Sequence, residues 1–148
     1  MSFGQILSAM DVSASGLSAE RLRMEVVANN IANANSTRTP EGEAYRRQQV
    51  IFSAAYDDVL GQGVGKGQNL SGVQVVGIQP DASELPQIYQ PGHPDADASG
   101  YVTMPNVQLP IEMVDLMTAS RGYEANLRVL RSFREMAERA LSLLRGAS

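Results

Sequence analysis

QILSAMDVSASGLSAERLRMEVVANNIANAN, residues 5–35, is the stretch from which the fold is read. Met10, Leu17, Met24 and Ile31 recur every seven residues, Ala14, Val27 and Ala28 fill the same face, and Ile6 extends it. A seven-residue apolar repeat predicts a helix with a narrow apolar stripe that suits a coiled coil. The same periodicity also fits an amphipathic helix lying on the core of its own domain, and spacing alone does not separate the two. Gly16 is about 1 kcal/mol less favourable than Ala inside a helix, so this helix depends on what it packs against. Asn29, Asn30, Asn33 and Asn35, followed by Ser36, Thr37 and Pro40, mark its end. Such side chains compete for backbone hydrogen bonds and favour turns.

A matching pattern stands at the other end of the chain. Over residues 110–147, Leu116, Tyr123, Leu130, Ala137 and Leu144 repeat every seven residues, with Met113, Leu127 and Leu141 on a neighbouring line. Pro110 suits a first turn, and Gly146 lies near the end. Ser120 and Arg134 interrupt the apolar line, and Gly122 is a second weak point. Two heptad-bearing helices bracketing everything else predict a side-by-side or antiparallel pair.

The segment between them, residues 36–109, differs in character. It holds most of the glycine and nearly all of the proline, and eight acidic residues against four basic ones. Arg46–Phe52, Val73–Ile78, Gln87–Tyr89 and Tyr101–Met104 read as short strands. Gly61-Gln62-Gly63-Val64-Gly65-Lys66-Gly67 reads as a flexible loop. The fold class is therefore α+β: residues 1–35 and 110–148 form a terminal helical domain paired as a coiled-coil-like layer, and residues 36–109 form a small β-rich insertion.

Composition excludes several functions. The chain has 148 residues, the size of one domain, and a net charge of −4, which disfavours nucleic acid or anionic lipid as the main partner. Without cysteine there is no disulfide, thiolate metal site or Cys nucleophile. No run approaches the ~18 apolar residues of a membrane span, so direct membrane insertion is not expected. The first charged residue is Asp11, with no basic segment ahead of a sustained apolar run, so no cleaved secretory signal is expected either.

Four features invite a chemical reading. The glycine run fails the P-loop pattern because Gly67 stands where Ser or Thr is needed, and Lys66 and Gln68 spoil G-x-G-x-x-G. His93-Pro94-Asp95-Ala96-Asp97-Ala98-Ser99-Gly100 copies the opening of an EF-hand loop, but Asn106 replaces the bidentate Glu and no flanking helices are expected. A turn held by locally bonded Asp side chains is the competing reading. The arginines of the last helix are interleaved with acids: Glu124 before Arg128, Glu135 before Arg139, and Arg134 before Glu138. That is the pattern of a self-neutralising solvated face. The asparagine cluster either caps a helix raggedly or, through amides that both donate and accept, fixes register where helices of several subunits meet.

Val27-Ala28-Asn29-Asn30-Ile31-Ala32-Asn33-Ala34-Asn35 resembles the N-terminal signature of the flagellar axial family of rod, hook and hook-associated proteins. Three further stretches resemble its proximal-rod members. They are Thr37-Arg38-Thr39-Pro40-Glu41-Gly42 with Tyr45-Arg46-Arg47, and Pro91-Gly92-His93-Pro94-Asp95-Ala96-Asp97-Ala98 with Gly100-Tyr101-Val102. The third is Met104-Pro105-Asn106-Val107 leading to Glu112-Met113-Val114-Asp115-Leu116 and Arg121-Gly122-Tyr123-Glu124-Ala125-Asn126. The glycine-rich loop matches no motif of the family.

The resemblance implies a structural rod subunit, not an enzyme, with no cofactor and no small-molecule substrate. It implies assembly with copies of itself and with other flagellar rod proteins into a hollow shaft that transmits torque. It also implies export through the flagellar type III apparatus without cleavage, to a basal-body rod crossing the periplasm. The assembly residues expected are Met10, Leu17, Met24, Asn29, Asn30, Ile31, Asn33, Leu116, Tyr123, Leu127, Leu130 and Leu144. Two rivals remain: a calcium- or ligand-binding module on Asp95 and Asp97, and a coiled-coil adaptor forming a closed oligomer.

Overall fold

A computed structural model of the chain describes residues 3–57 and 69–146. The glycine-rich loop at 61–67 lies outside the described residues. The order is α1 (Phe3–Ala32), β1 (Gln48–Asp57), β2 (Asn69–Pro80), β3 (Gln87–Tyr89), β4 (Tyr101–Thr103) and α2 (Leu109–Gly146). In chain order two long helices thus flank two small two-stranded sheets, β1 with β2 and β3 with β4. The α+β reading holds at this level. The strand segments fall where expected, but β1 and β2 run several residues further than the apolar runs indicated. None of the described helices is long and apolar enough to cross a membrane.

The chain divides into two compact units. The first comprises Met1–Arg21, Phe52–Val76 and Ser120–Ser148. Inside it the helices run antiparallel, Gly16 meeting Asn126 and Glu20 meeting Gly122. A Cβ on Gly16 would lie 2.9 Å from Asn126 Nδ2, so the glycine that weakens the helix also admits its neighbour. The start of β2 is tied to α1. Gly72, at φ +124°, is buried against Ser15, and the Val73 N–H donates to Ser15 Oγ at 3.0 Å. Ser15 in turn donates to the Val12 carbonyl at 2.7 Å. A Cβ at Gly72 would fall 2.2 Å from that hydroxyl, and only glycine readily takes this backbone conformation.

The second unit comprises Leu22–Ile51 and Gly77–Ala119. Its buried apolar residues are Val26, Val27, Ala34, Ala44, Val102 and Ala119. β3 and β4 pair antiparallel, with Gln87 opposite Thr103, Ile88 opposite Val102 and Tyr89 opposite Tyr101. The two tyrosine rings meet edge-on, 5.3 Å apart, a favourable aromatic geometry. Of the four asparagines at the end of α1, Asn33 is the one whose side chain ends the helix. Asn33 N–H bonds to the carbonyls of Asn29 and Asn30, and its side-chain amide returns to Asn29 O at 2.9 Å. Ser36 Oγ then donates to Asn33 Oδ1 at 3.1 Å, so Asn33 closes the helix by local bonds.

Candidate assembly surface

The buried line of α1 is not the heptad line. Ala19, Val26, Val27 and Asn30 are fully buried, while Met10, Leu17, Met24 and Ile31 are each half-buried. On α2 the inward side reads Glu112, Leu116, Ala119, Tyr123, Asn126, Leu130, Phe133 and Ala137, all buried or half-buried. This 4-3 spacing is what a helix needs to keep one narrow face inward. Leu127 is half-buried beside it, and the side chain of Leu144 lies outside the described residues.

The neighbouring line divides. Met113 is 58% exposed and Leu141 54%, so neither belongs to a core within the chain. Met113 has company in the second unit: Leu109, Ile111, Val114 and Met117 on the same stretch of α2 are also exposed. In the first unit, Val129, Met136 and Leu143 of α2 join Leu141 in solvent. Scattered apolar residues on a surface are ordinary, but a contiguous apolar face on a helix marks an interaction site. Fully burying one such side chain contributes about 1.5–3 kcal/mol, and roughly half remains to be gained where half is already covered.

The second unit also contains a polar knot that no single motif announced. Asn30, 0% exposed, uses its whole amide. Nδ2 donates to Gln48 O and to Glu112 Oε2, both at 2.9 Å, while Oδ1 accepts from Tyr45 OH at 3.0 Å and from the Gln48 N–H at 2.9 Å. Two donated and two accepted bonds fill the amide's capacity. Glu112 is likewise 0% exposed, and its other oxygen accepts from Arg47 Nε. Arg47 also reaches Asp115 at 3.3 Å and Asp81 at 3.5 Å, and Arg23 meets Asp115 at 3.3 Å. The backbone of Arg47 is held too: its N–H donates to Asn106 Oδ1 at 2.7 Å and its carbonyl accepts from the Asp81 N–H at 2.8 Å.

The electrostatics follow from this packing. Burial alone would lower the Arg47 pKa, but the hydrogen bond to Glu112 and the carboxylates of Glu112, Asp115 and Asp81 outweigh it and raise it. Burial pushes the Tyr45 hydroxyl up, and the Glu112 charge adds to the shift. Asp81 is held below the usual carboxylate range by hydrogen bonds from Ser83, with Arg47 contributing. A buried charge is tolerable only when paired and hydrogen-bonded, and Glu112 meets both conditions.

Of the expected assembly residues, Asn29 is exposed and Asn30 is wholly engaged inside the second unit, with nothing left to offer a neighbour. Reasoning from sequence missed Arg47, Glu112, Asp115 and Tyr45. The signal available was Glu112 itself, an acid four residues before Leu116 on the inward line. In the Asp-rich loop Asp97 bonds locally, as a turn residue does, whereas Asp95 ties the loop to residues 37–38. Asp97 Oδ1 accepts from the N–H groups of Ser99 and Tyr101 at 2.8 Å, and Gly100 follows at φ +84°. Asp95 accepts from Thr37 Oγ1 at 2.8 Å and pairs with Arg38 at 3.5 Å. Among the described residues, no three His, Cys, Asp or Glu side chains gather as a metal would require.

Comparison with known proteins matches this layout. Residues 10–38 fit the family model described as flagella basal body rod protein, and residues 98–143 fit the C-terminal model of the flagellar basal body rod FlgEFG proteins. The flagellar basal-body rod protein FlgC of Borreliella burgdorferi is 43% identical, over 95% of this chain and 99% of its own. The chain belongs to the FlgC family of flagellar basal-body rod proteins. The FlgC of Salmonella typhimurium is 41% identical over 93% of this chain and 97% of its own, and that of Bacillus subtilis 40% over 91% and 95%. The chain is a structural subunit of the flagellar basal-body rod. As in the two matched models, the family's signatures lie on α1 with its asparagine-rich end and on β4 with α2.

Proposed function

We propose that the chain is a non-catalytic building block of the proximal rod, polymerising with copies of itself and with other rod proteins into a hollow, torque-bearing shaft. Residues 1–35 and 110–148 act as the assembly domain, pairing with neighbouring subunits as a coiled-coil-like layer around the export channel. Residues 36–109 face outward. The chain reaches its place across the periplasm through the flagellar type III export apparatus, without cleavage of a signal peptide. The observation that carries this reading is the apolar outer face of α2, Ile111, Met113, Val114 and Met117, in a chain of the FlgC family.

The half-buried heptad residues Met10, Leu17, Met24, Ile31, Leu116, Tyr123, Leu127 and Leu130, together with Leu144, form the edges along which subunits meet. Exposed Asn29 contacts a neighbour directly. Asn30 and Asn33 act indirectly, by fixing where α1 ends and how the following segment leaves it. Met113→Asp tests the proposal. The residue is 58% exposed, so the purified chain should fold with unchanged circular dichroism while basal bodies recovered from the variant strain lack rods. Normal rods and swimming would remove the outer face of α2 from the assembly.

A further inference from the structure

Among the described residues, two sets of exposed charges form no ion pair, and they differ in sign. In α2, Glu112 is turned to Arg47, and Asp115 to Arg47 and Arg23. Two of the helix's five acids are thus spent on the knot. From residue 120 onward, six arginines face three glutamates. Only two of those glutamates are engaged, Glu124 with Arg128 at 3.6 Å and Glu138 with Arg134 at 2.8 Å. The Glu135–Arg139 pair that the sequence suggested is not formed, as befits an exposed pair of little net value. Arg121, Arg131 and Arg139 are exposed and form no ion pair among the described residues, nor does exposed Glu135, which leaves this stretch with an excess of positive charge.

The second unit presents the complement. Glu41, Glu43 and Glu84 are exposed and likewise form no ion pair among the described residues. Glu41 and Glu43 border one cleft, of about 530 Å³, and Glu84 borders another with Leu85; Arg46 lines both.

We infer that the cationic outer face of α2 in one subunit docks on the Glu41, Glu43 and Glu84 surface of a second copy of this chain. This rests on the rod reading and adds the partner surface and its chemistry. Because the two surfaces differ, the contact is heterologous, the kind that can repeat from copy to copy. Unlike charges brought together also fix orientation and reject wrong pairings more than they add affinity. Val129 and Met136, exposed on α2, supply apolar contact beside the arginines.

The experiment uses the full chain and two variants, Arg131→Glu/Arg139→Glu and Glu41→Arg/Glu43→Arg. All substituted residues are exposed, so each variant should keep the wild-type circular dichroism. By sedimentation velocity, wild-type self-association should weaken roughly tenfold between about 0.05 and 0.5 M salt, as exposed charges are screened. Each variant alone should associate at least about tenfold less than wild type at low salt, from repulsion between like charges. An equimolar mixture of the two should recover association, because each supplies the surface that the other has reversed. Wild-type-like association by either variant, no recovery on mixing, or salt-independent association would each overturn the inference. Normal rods in both variant strains would remove this contact and leave the rod reading intact. Absence of the wild-type chain from purified basal bodies would remove the rod reading itself.

Discussion

Asn30→Asp is the sharpest probe of the polar knot, because it preserves shape and changes only donors and charge. The amide nitrogen lies 2.9 Å from Glu112 Oε2 and 2.9 Å from Gln48 O. Replacing it by a carboxylate oxygen turns two attractions into repulsions, one of them between full charges at a site with no solvent exposure. At an effective dielectric of ~20, two unit charges at that separation repel by about 5 kcal/mol. Arg47 offsets part of this, and a lost hydrogen bond to a charged group adds about 1.5–3 kcal/mol. A net destabilisation of about 3–5 kcal/mol at pH 7 follows, in line with other unpaired buried charges. The sign with pH is fixed. The introduced carboxyl is expected to have a folded-state pKa above its unfolded value, so below the unfolded value the charge repulsion vanishes and only the loss of one of the two donated bonds remains. The penalty grows as pH rises through the folded one. Urea denaturation of the full chain, followed by circular dichroism at pH 4.5 and pH 7, measures both. A variant within about 0.5 kcal/mol of wild type at pH 7 would refute the assignment of Glu112 as a buried carboxylate held by Asn30.

Three further outcomes are expected. Gly72→Ala should destabilise the first unit by about 1–3 kcal/mol, since a Cβ would meet Ser15 Oγ and the backbone is at positive φ; amide exchange at Val73 should accelerate, and unchanged protection would count against the Ser15 contact. Asn33→Ser should lower stability by only a few tenths of a kcal/mol, because its bonds are local and partly open to water; a loss as large as that of Asn30→Asp would put Asn33 in the knot as well. The lowered Asp81 pKa gives stability that is present above the ordinary carboxylate value and lost as pH falls through the folded one. The raised Tyr45 pKa gives stability that is full below its ordinary value of 10.0 and lost as pH rises. Asp81→Asn should therefore flatten the acid limb of the stability profile and Tyr45→Phe the alkaline limb, each leaving the other limb in place.

What could be read from the sequence was what local chemistry decides. The helices declared themselves through repeats at Met10 to Ile31 and Leu116 to Leu130. Asn33 and Asp97 could be read as turn residues because their partners lie within four residues. The heptad count could not say which side of each helix the chain would cover itself. Val26 and Val27 went inward, while Met113 stayed in solvent despite its place beside the repeat. The knot was harder still. Asn30 looked like one member of a polar cluster, Arg47 like one of two adjacent arginines, and Glu112 like an acid suited to a helix N-terminus. Their pairing spans most of the chain, and a single sequence carries no record of which distant residues meet.

That span has a kinetic side. Asn30 and Glu112 are 82 positions apart, and Arg23 and Asp115 are 92 apart. Contacts of such high order form slowly, because a long loop must close before any bond rewards it. A chain emerging from its N-terminus has α1 and Arg47 long before Glu112 and Asp115 exist to receive them. Until about three-quarters of the polypeptide is available, Arg47 lacks Glu112 and both Arg23 and Arg47 lack Asp115. The second unit therefore stays open through most of synthesis and closes only once the start of α2 arrives.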